Sequence, residues 1–469
     1  MPRQLAYIIP AHNAQATLAE TLASVAAAIA PRASSGAIPR IETIIVDDNS
    51  TDHTVRTAQA AFATFPALHG RVIRAHSEAS AAAAALGPAG ARLAGLNAAT
   101  ARFVCFLDAD DLCEPHSACD MLAAVGLLGP SDERASFDAC CGGFRLIDSA
   151  GEDLCWSHTP ESGDWAPQRL ATANRLTIGA VIVAREALLD AARRQSEMFA
   201  SGCASEDWAM WLHLARDSHH APSPVRWGPV IERAVLAYRQ QDGARSRKIM
   251  ANLASGVEII SRFTTDSDEA KAAAMGLLRR AVCEALLDDQ RELVLAAAHD
   301  IPPDSRGGEF AAAAFVAPLR WGLACRGYLR PPAMARAMSE VLPVVERLAA
   351  GTLHFDWSAL FRRALCGPEQ LAMAASRLHA TLGPTGRLVI YGLGRSGRAA
   401  LKLVSQRGGV VAIDDDPARQ SPVPRITVDD LTANDAVLVT PDLRGPILGR
   451  IDGTPARVLL PEDLLLGRG

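Results

Sequence analysis

Four short apolar runs alternate with segments of helical spacing in the first quarter of the chain, and this alternation limits the fold more than any other feature. LAYIIP (5–10), IETIIVDD (41–48), RVIRA (71–75) and FVCFL (103–107) read as strands. After the first, Leu18, Leu22, Val25 and Ile29 recur at helical spacing; STDHTVRTAQAAFATF and GARLAGLNAATA fill the next two gaps. Strand–helix alternation of this kind predicts an α/β fold with a mainly parallel sheet covered by helices. In such sheets ligands collect at the carboxyl ends of the strands. The acids of IIVDDNSTD and FVCFLDADD both follow strands, so both fall on that rim.

At 469 residues the chain exceeds one ordinary core. Composition shifts divide it into 1–245, an Ala- and Leu-rich helical region over 246–385, and a small α/β segment over 386–469. Within the first part the alanine-rich SEASAAAAALGPAG (77–90) reads as a loop or frayed helix. The net charge of −5 shows no basic excess, which excludes a nucleic-acid partner. MPRQLAYIIPAHNA has no signal-peptide core and no apolar run is long enough for a transmembrane segment, so a cytoplasmic protein is expected, with peripheral membrane association left open. Ten cysteines occur without a C-x-x-C pair and read as reduced, mostly core residues.

Asp108, Asp110 and Asp111 crowd the end of the fourth run. Two such charges about 4 Å apart repel by roughly 4 kcal/mol at an effective dielectric near 20. Capping of a helix over EPHSACDMLAAV, with Pro115 in its first turn, would explain one of these acids. A hard cation, Mg²⁺ or Mn²⁺, explains the D-x-D spacing better, because such ions take one or two carboxylates and complete their shell with substrate phosphates and water.

IIPAHN, IIVDDNSTD, FVCFLDADD and SEDWAMWLHLAR, in this order, resemble glycosyltransferase family 2 over about residues 5–245. The resemblance implies a GT-A type, Rossmann-like nucleotide-sugar domain and an inverting, metal-dependent transfer. The donor would be a nucleotide sugar, UDP-sugar favoured, and the acceptor a hydroxyl on a glycan or lipid-linked molecule. It puts Pro10, Asn13 and Asp48 at the nucleobase and ribose, Arg92 near the nucleotide or its phosphates, Asp108 on the donor and metal, and Asp110 as main metal ligand with Asp111 in support. Asp207 would be the base that takes the acceptor proton. Trp208, Trp211, Leu212 and Ala215 bury one face of its helix, whose dipole would lower the carboxylate pKa unless burial offsets it. Arg239 and Arg245 are candidates for the diphosphate, and Ser50 or Thr51 for capping the helix after DDNSTD. A non-catalytic nucleotide sensor or scaffold built on a degenerate transferase domain is the alternative function.

The third region opens with RLVIYGLGRSG, a strand running into the G-x-G-x-x-G loop of Gly392, Gly394 and Gly397. A second strand ends in Asp414, about 20 residues after the first glycine, the distance at which a ribose-binding acid is expected. The segment is therefore Rossmann-like, with NAD or another nucleotide as its expected ligand. Its alternative is structural: the glycines pack helix on strand, and Asp414, Asp415 and Asp416 cap a turn.

Overall fold

The computed structural model describes the chain apart from residues 1–2, 32–37, 76–84, 128–134, 195–198, 200–204, 221–224, 242–248, 265, 302–307, 354, 383–385, 394, 406–407, 417–418, 441–444 and 461–469. The chain forms two compact units, Met1–Glu152 with Ser157–Gly276, and Asp153–Trp156 with Leu277–Gly469.

In the first unit the expected alternation appears as β1 (Leu5–Ala11), α1 (Leu18–Ala28), β2 (Ile41–Asp47), α2 (Thr54–Thr64), β3 (Gly70–Arg74), α3 (Gly87–Ala98) and β4 (Phe103–Phe106). The chain continues through β5 (Leu112–Cys113), α4 (Ser117–Ala124), β6 (Ala139–Ile147), β7 (Asp153–His158), α5 (Pro167–Thr172), β8 (Val181–Ala184), α6 (Arg185–Arg194), α7 (Glu206–His220), β9 (Ile231–Arg239) and α8 (Ile249–Phe263). The unit boundary passes through β7.

The main path of the sheet runs β3-β2-β1-β4-β8-β6-β9-β5. β3, β2, β1 and β4 are parallel neighbours; β8 is antiparallel to β4 and β6, and β9 runs parallel to β6. β1, β2 and β4 are buried almost throughout because helices cover both faces, which is why they read as continuous apolar runs. Two strand pairs then carry the sheet past β4, the curl expected of a GT-A domain. α3 presses onto β1 so closely that a Cβ on Gly95 would come within 2.3 Å of Ile8.

Helices predominate after α8, as the composition predicts: α9 (Ser267–Leu287), α10 (Arg291–His299), α11 (Gly308–Ala313), α12 (Val316–Cys325), α13 (Pro331–Arg336), α14 (Leu342–Ala349), α15 (Trp357–Leu365) and α16 (Pro368–Thr381). The second unit ends in β10 (Arg387–Tyr391), α17 (Arg395–Val404), β11 (Val410–Ile413), β12 (Asp435–Val439), α18 (Gly445–Ile451) and β13 (Arg457–Leu459). These strands form a parallel sheet ordered β11-β10-β12-β13 with an apolar cluster on each face. The described cysteines are free thiols, buried except for Cys155. Among the described residues no helix is long and apolar enough to cross a membrane.

Candidate active site

The apolar strand β4 carries the chain through the core and releases it at Asp108, and the three crowded acids then take three different partners. Asp108 pairs with Arg92 at 2.7 Å. Gln241 donates its amide N–H to Asp110 Oδ2 at 3.0 Å. Asp111 is fully buried and its Oδ1 accepts the backbone N–H of Arg239 at 2.8 Å, while its Oδ2 has no hydrogen-bond partner. Neither Asp110 nor Asp111 caps a helix: β5 intervenes, and α4 starts only after His116. Capping therefore does not account for the cluster.

The loop is held from beneath. Thr17 and Thr21 on the α1 side donate their hydroxyls to the Ala109 carbonyl at 2.9 and 3.0 Å. Arg239 is buried; it donates Nε to the Asp110 carbonyl at 2.7 Å, reaches the Ser149 carbonyl at 3.0 Å and pairs with Glu20 at 2.6 Å. This corrects the expectation for Arg239: its guanidinium is consumed in tying β9, the β6 turn and α1 to the acidic loop, so it is neither a diphosphate contact nor a surface residue. Arg245 lies outside the described residues.

Burial and the Asp108 charge push the Asp110 carboxyl up to about 6, and burial with the neighbouring carboxylates pushes Asp111 well above the usual range. Asp108, Asp110, Asp111, Glu206 and Asp207 gather around Arg92 and Arg239, an excess of negative charge.

Arg92 is buried on α3 and is not a solvated helix arginine. Besides Asp108 it binds Glu206 at 3.3 Å, so one guanidinium joins the β4 rim to the first turn of α7. The position expected at the nucleotide thus holds two carboxylates together. Asp207 follows Glu206. Its Oδ2 accepts the Asn174 amide at 2.9 Å and its Oδ1 the Trp208 backbone N–H at 2.8 Å. Burial raises its pKa against the opposing pull of Arg92 and these hydrogen bonds. Trp208 and Trp211, anchored by their indole N–H groups on the Leu170 and Leu176 carbonyls, fix the helix beneath it.

On the other flank, Asp48 is buried and its two oxygens accept the N–H groups of Leu86 and Gly87, each at 2.8 Å, where α3 begins. Residues 76–84 of the alanine-rich run lie outside the described residues. Pro10 continues the β1–β2 ladder opposite Val46. Asn13, exposed and left-handed at φ 52°, accepts the Thr51 N–H at 2.8 Å. Asp52, rather than Ser50 or Thr51, bonds the first amide of α2, at Thr54.

In the second unit, Gly392 turns at φ 96° and Gly397 lies so near it that a Cβ would come within 1.7 Å of the Gly392 carbonyl. Gly394 lies outside the described residues. The Asp414 carboxylate accepts N–H bonds from Leu393 and, at 2.8 Å, from Asp416, and pairs with Arg419 at 3.2 Å. These contacts outweigh its burial and lower its pKa. Gly397 packs the start of α17 against the end of β10 at Gly392, and Asp414 ties that loop to the end of β11.

Glu206, Asn174, Gln241 and Glu20 belong to the site without a sequence motif of their own. Only Glu206 left a trace, as a second acid in the first turn of α7. Among the described residues no group of three or more His, Cys, Asp or Glu is arranged to hold a metal ion.

Residues 7–150 match the family described as Glycosyl transferase family 2. No curated protein matches the chain. Among solved structures, S. aureus TarS is similar at 17% identity and a TM-score of 0.37, over 73% of this chain and 55% of that one. This chain thus spans only about half the length of that relative. Glucosyl-3-phosphoglycerate synthase from Mycobacterium tuberculosis in complex with phosphoglyceric acid is similar at 19% identity and a TM-score of 0.32, over 54% of this chain and 80% of that one. The same synthase with Mn²⁺, UDP-glucose and phosphoglyceric acid gives 20% identity and 0.33, over 54% and 79%.

Proposed function

Because residues 7–150 match glycosyl transferase family 2, we propose that this protein is an inverting glycosyltransferase that moves a sugar from a nucleotide-diphosphate donor, a UDP-sugar by preference, to a hydroxyl acceptor on a glycan or lipid-linked molecule. The observation that carries the reading is the Arg92 bridge. By holding Asp108 at 2.7 Å and Glu206 at 3.3 Å it brings the acids after β4 and the carboxylate of Asp207 to one rim.

Asp207 acts as the base. A carboxylate raised above its ordinary pKa by burial is a stronger proton acceptor at neutral pH while still ionised. Asn174 and the Trp208 amide fix its two oxygens, so the acceptor hydroxyl meets it in one orientation. Asp48 serves the nucleobase. A carboxylate offers about four lone-pair sites, and the two bonds from Leu86 and Gly87 pin its plane so that a uracil N–H meets a fixed acceptor. Pro10 and Asn13 border the same flank.

The acidic surplus fits a divalent cation, since the partly buried Asp110 has a neutral amide rather than a cation on its Oδ2. Asp110, with Asp108 beside it, would hold Mg²⁺ or Mn²⁺. Once bound, that ion supplies charge neutralisation for the departing diphosphate. Two carboxylates suffice for such a site because phosphates and water complete the shell. The three-part division 1–245, 246–385 and 386–469 goes with this proposal, with the transfer chemistry in the first part.

The test is the release of nucleoside diphosphate from UDP-, GDP- and dTDP-sugars with and without Mn²⁺. Metal-dependent release from a UDP-sugar is expected. No release from any donor, or equal release in EDTA, would overturn the reading.

A further inference from the structure

Gln240 follows β9 and is 5% exposed, and both its amide oxygen and its amide nitrogen are without a hydrogen-bond partner. Among the described residues no other buried side chain leaves two separate polar atoms without a partner. Its backbone N–H donates to the Ile147 carbonyl at 2.8 Å, at the end of the β6–β9 ladder. Burying an amide with nothing to bond costs stability and contributes nothing to packing that Leu or Met would not supply.

Alternation along β9 says what the amide faces. Arg239 points to the Asp110 carbonyl and Glu20, so Gln240 shares the opposite face with Tyr238 and Leu236. On that face Leu236 meets Gly179 so closely that a Cβ there would lie 2.8 Å away, and the same position is 3.4 Å from Leu107. Leu107 immediately precedes Asp108, and Gly179 lies five residues after Asn174, the partner of Asp207. Gln240 itself stands in the chain between two residues bound to the acidic loop, Arg239 through its backbone N–H on Asp111 and Gln241 through its amide on Asp110. Asp48 lies on the far side of β1.

Resting on the glycosyltransferase reading, we propose that Gln240 recognises neighbouring hydroxyl groups of a sugar ring. A primary amide offers one acceptor and two donors side by side, and a pair of adjacent hydroxyls offers the complement. A phosphate, which only accepts, would leave the amide oxygen unpaired. A nucleobase could match an amide, but the residues suited to it lie on the Asp48 flank. The ring belongs either to the transferred sugar or to the acceptor.

The test compares the full-length wild type with Gln240→Leu and Gln240→Glu in three measurements. The first is the melting temperature without ligand. Removing an unpaired buried amide should raise it in Gln240→Leu by about 2–4 °C, the size expected when roughly 1 kcal/mol is recovered in a unit of this length. The second is calorimetric affinity for UDP and UDP-glucose with Mn²⁺. If the ring is the donor's, Gln240→Leu weakens UDP-glucose on the order of tenfold, the worth of about one hydrogen bond, and leaves UDP unchanged. The third is stimulation of UDP-glucose turnover by methyl glycosides. If the ring is the acceptor's, both affinities hold and the stimulation is lost.

In Gln240→Glu, with the donor groups replaced by an acceptor, the affected measurement should remain impaired. A Gln240→Leu variant that melts at or below the wild type, with affinities and stimulation unchanged, would overturn the proposal and make the amide structural. If the wild type releases no nucleoside diphosphate from any donor, the transferase reading fails separately. The melting comparison then still decides whether the buried amide is held for a ligand, with a lower melting temperature in Gln240→Leu overturning it.

Discussion

Two acidic runs in this molecule follow parallel strands and look alike as sequence: DADD after β4 and DDD after β11. Their surroundings have opposite character. After β11, Asp414 accepts two backbone N–H groups of its own loops and faces Arg419, and its pKa is lowered. Asp415 is likewise engaged, by the Tyr391 hydroxyl and by Arg450. After β4, Asp110 is pushed up to about 6 and Asp111 has an unpartnered oxygen. A cap relaxes the chain that carries it, whereas the β4 loop holds charge that its own fold does not satisfy. Unsatisfied buried charge is the better mark of a ligand site.

The sharpest way to break this contrast is to remove the proposed base on the strained side. Asp207→Asn should lower turnover by on the order of 10²–10⁴, the usual worth of a general base. Donor affinity and metal dependence should remain close to wild type, because Asn keeps the shape beside Asn174 and Trp208. Steady-state kinetics together with calorimetry separate the two quantities. A collapse of donor affinity with unchanged turnover at saturation would assign Asp207 to the donor instead.

Asp110→Asn tests the strain itself. Metal-dependent turnover should fall by about 10²–10³ as the electrostatic contribution is lost. Stability should move the other way. A folded-state carboxyl at about 6, against 3.8 unfolded, holds its proton in the fold at pH values where the unfolded chain has released it. Its stabilising contribution is present below pH 3.8 and is lost as the pH rises through 6. In EDTA at pH 7.5 the uncharged Asn should therefore melt higher than Asp, by up to roughly 2–3 kcal/mol in unfolding free energy, and the gain should vanish near pH 4. Denaturant melts across that range decide it; a variant less stable at pH 7.5 would show that the loop is not strained.

How much of this was legible in the sequence depends on what each residue signals locally. β1, β2 and β4 announce themselves because strands buried on both faces are mostly apolar, with Glu42 and Thr43 the buried exceptions in β2. β5 was invisible: two residues have no period, and pairing with β9, more than 120 positions later, defines the strand. Asp108, Asp110 and Asp207 stood out by type and spacing, but their partners did not. Arg92 meets Glu206 across 114 positions and Asn174 meets Asp207 across 33, contacts that only the folded sheet creates. Arg239 was misread because an arginine near a donor segment suggests phosphate, while its burial among carbonyls is a tertiary fact. Gln240 had no signal at all, since an unmade hydrogen bond exists only once every neighbour is known.

Asp414→Asn gives the smallest effect and completes the contrast. Here the folded pKa is lowered, so the carboxylate stabilises the fold above the unfolded value of 3.8, and that contribution is lost as the pH falls through the folded value. Asn should cost about 1 kcal/mol at pH 7, since one of its two oxygens becomes an amide that cannot accept from Leu393 or Asp416. The deficit should shrink as the pH falls below 3.8 and on through the folded value, where the folded carboxylate takes up its proton, the reverse of the trend at Asp110. Nucleoside diphosphate release from UDP-sugars should be unchanged. Calorimetry of the full-length wild type and variant with NAD, NADP and UDP adds the decisive arm. If Asp414 held a ribose, the wild type would show saturable nucleotide binding that survives Asp110→Asn and disappears in Asp414→Asn. With its carboxylate already shared between two backbone amides and Arg419, the expected result is a modest stability loss with no change in nucleotide binding.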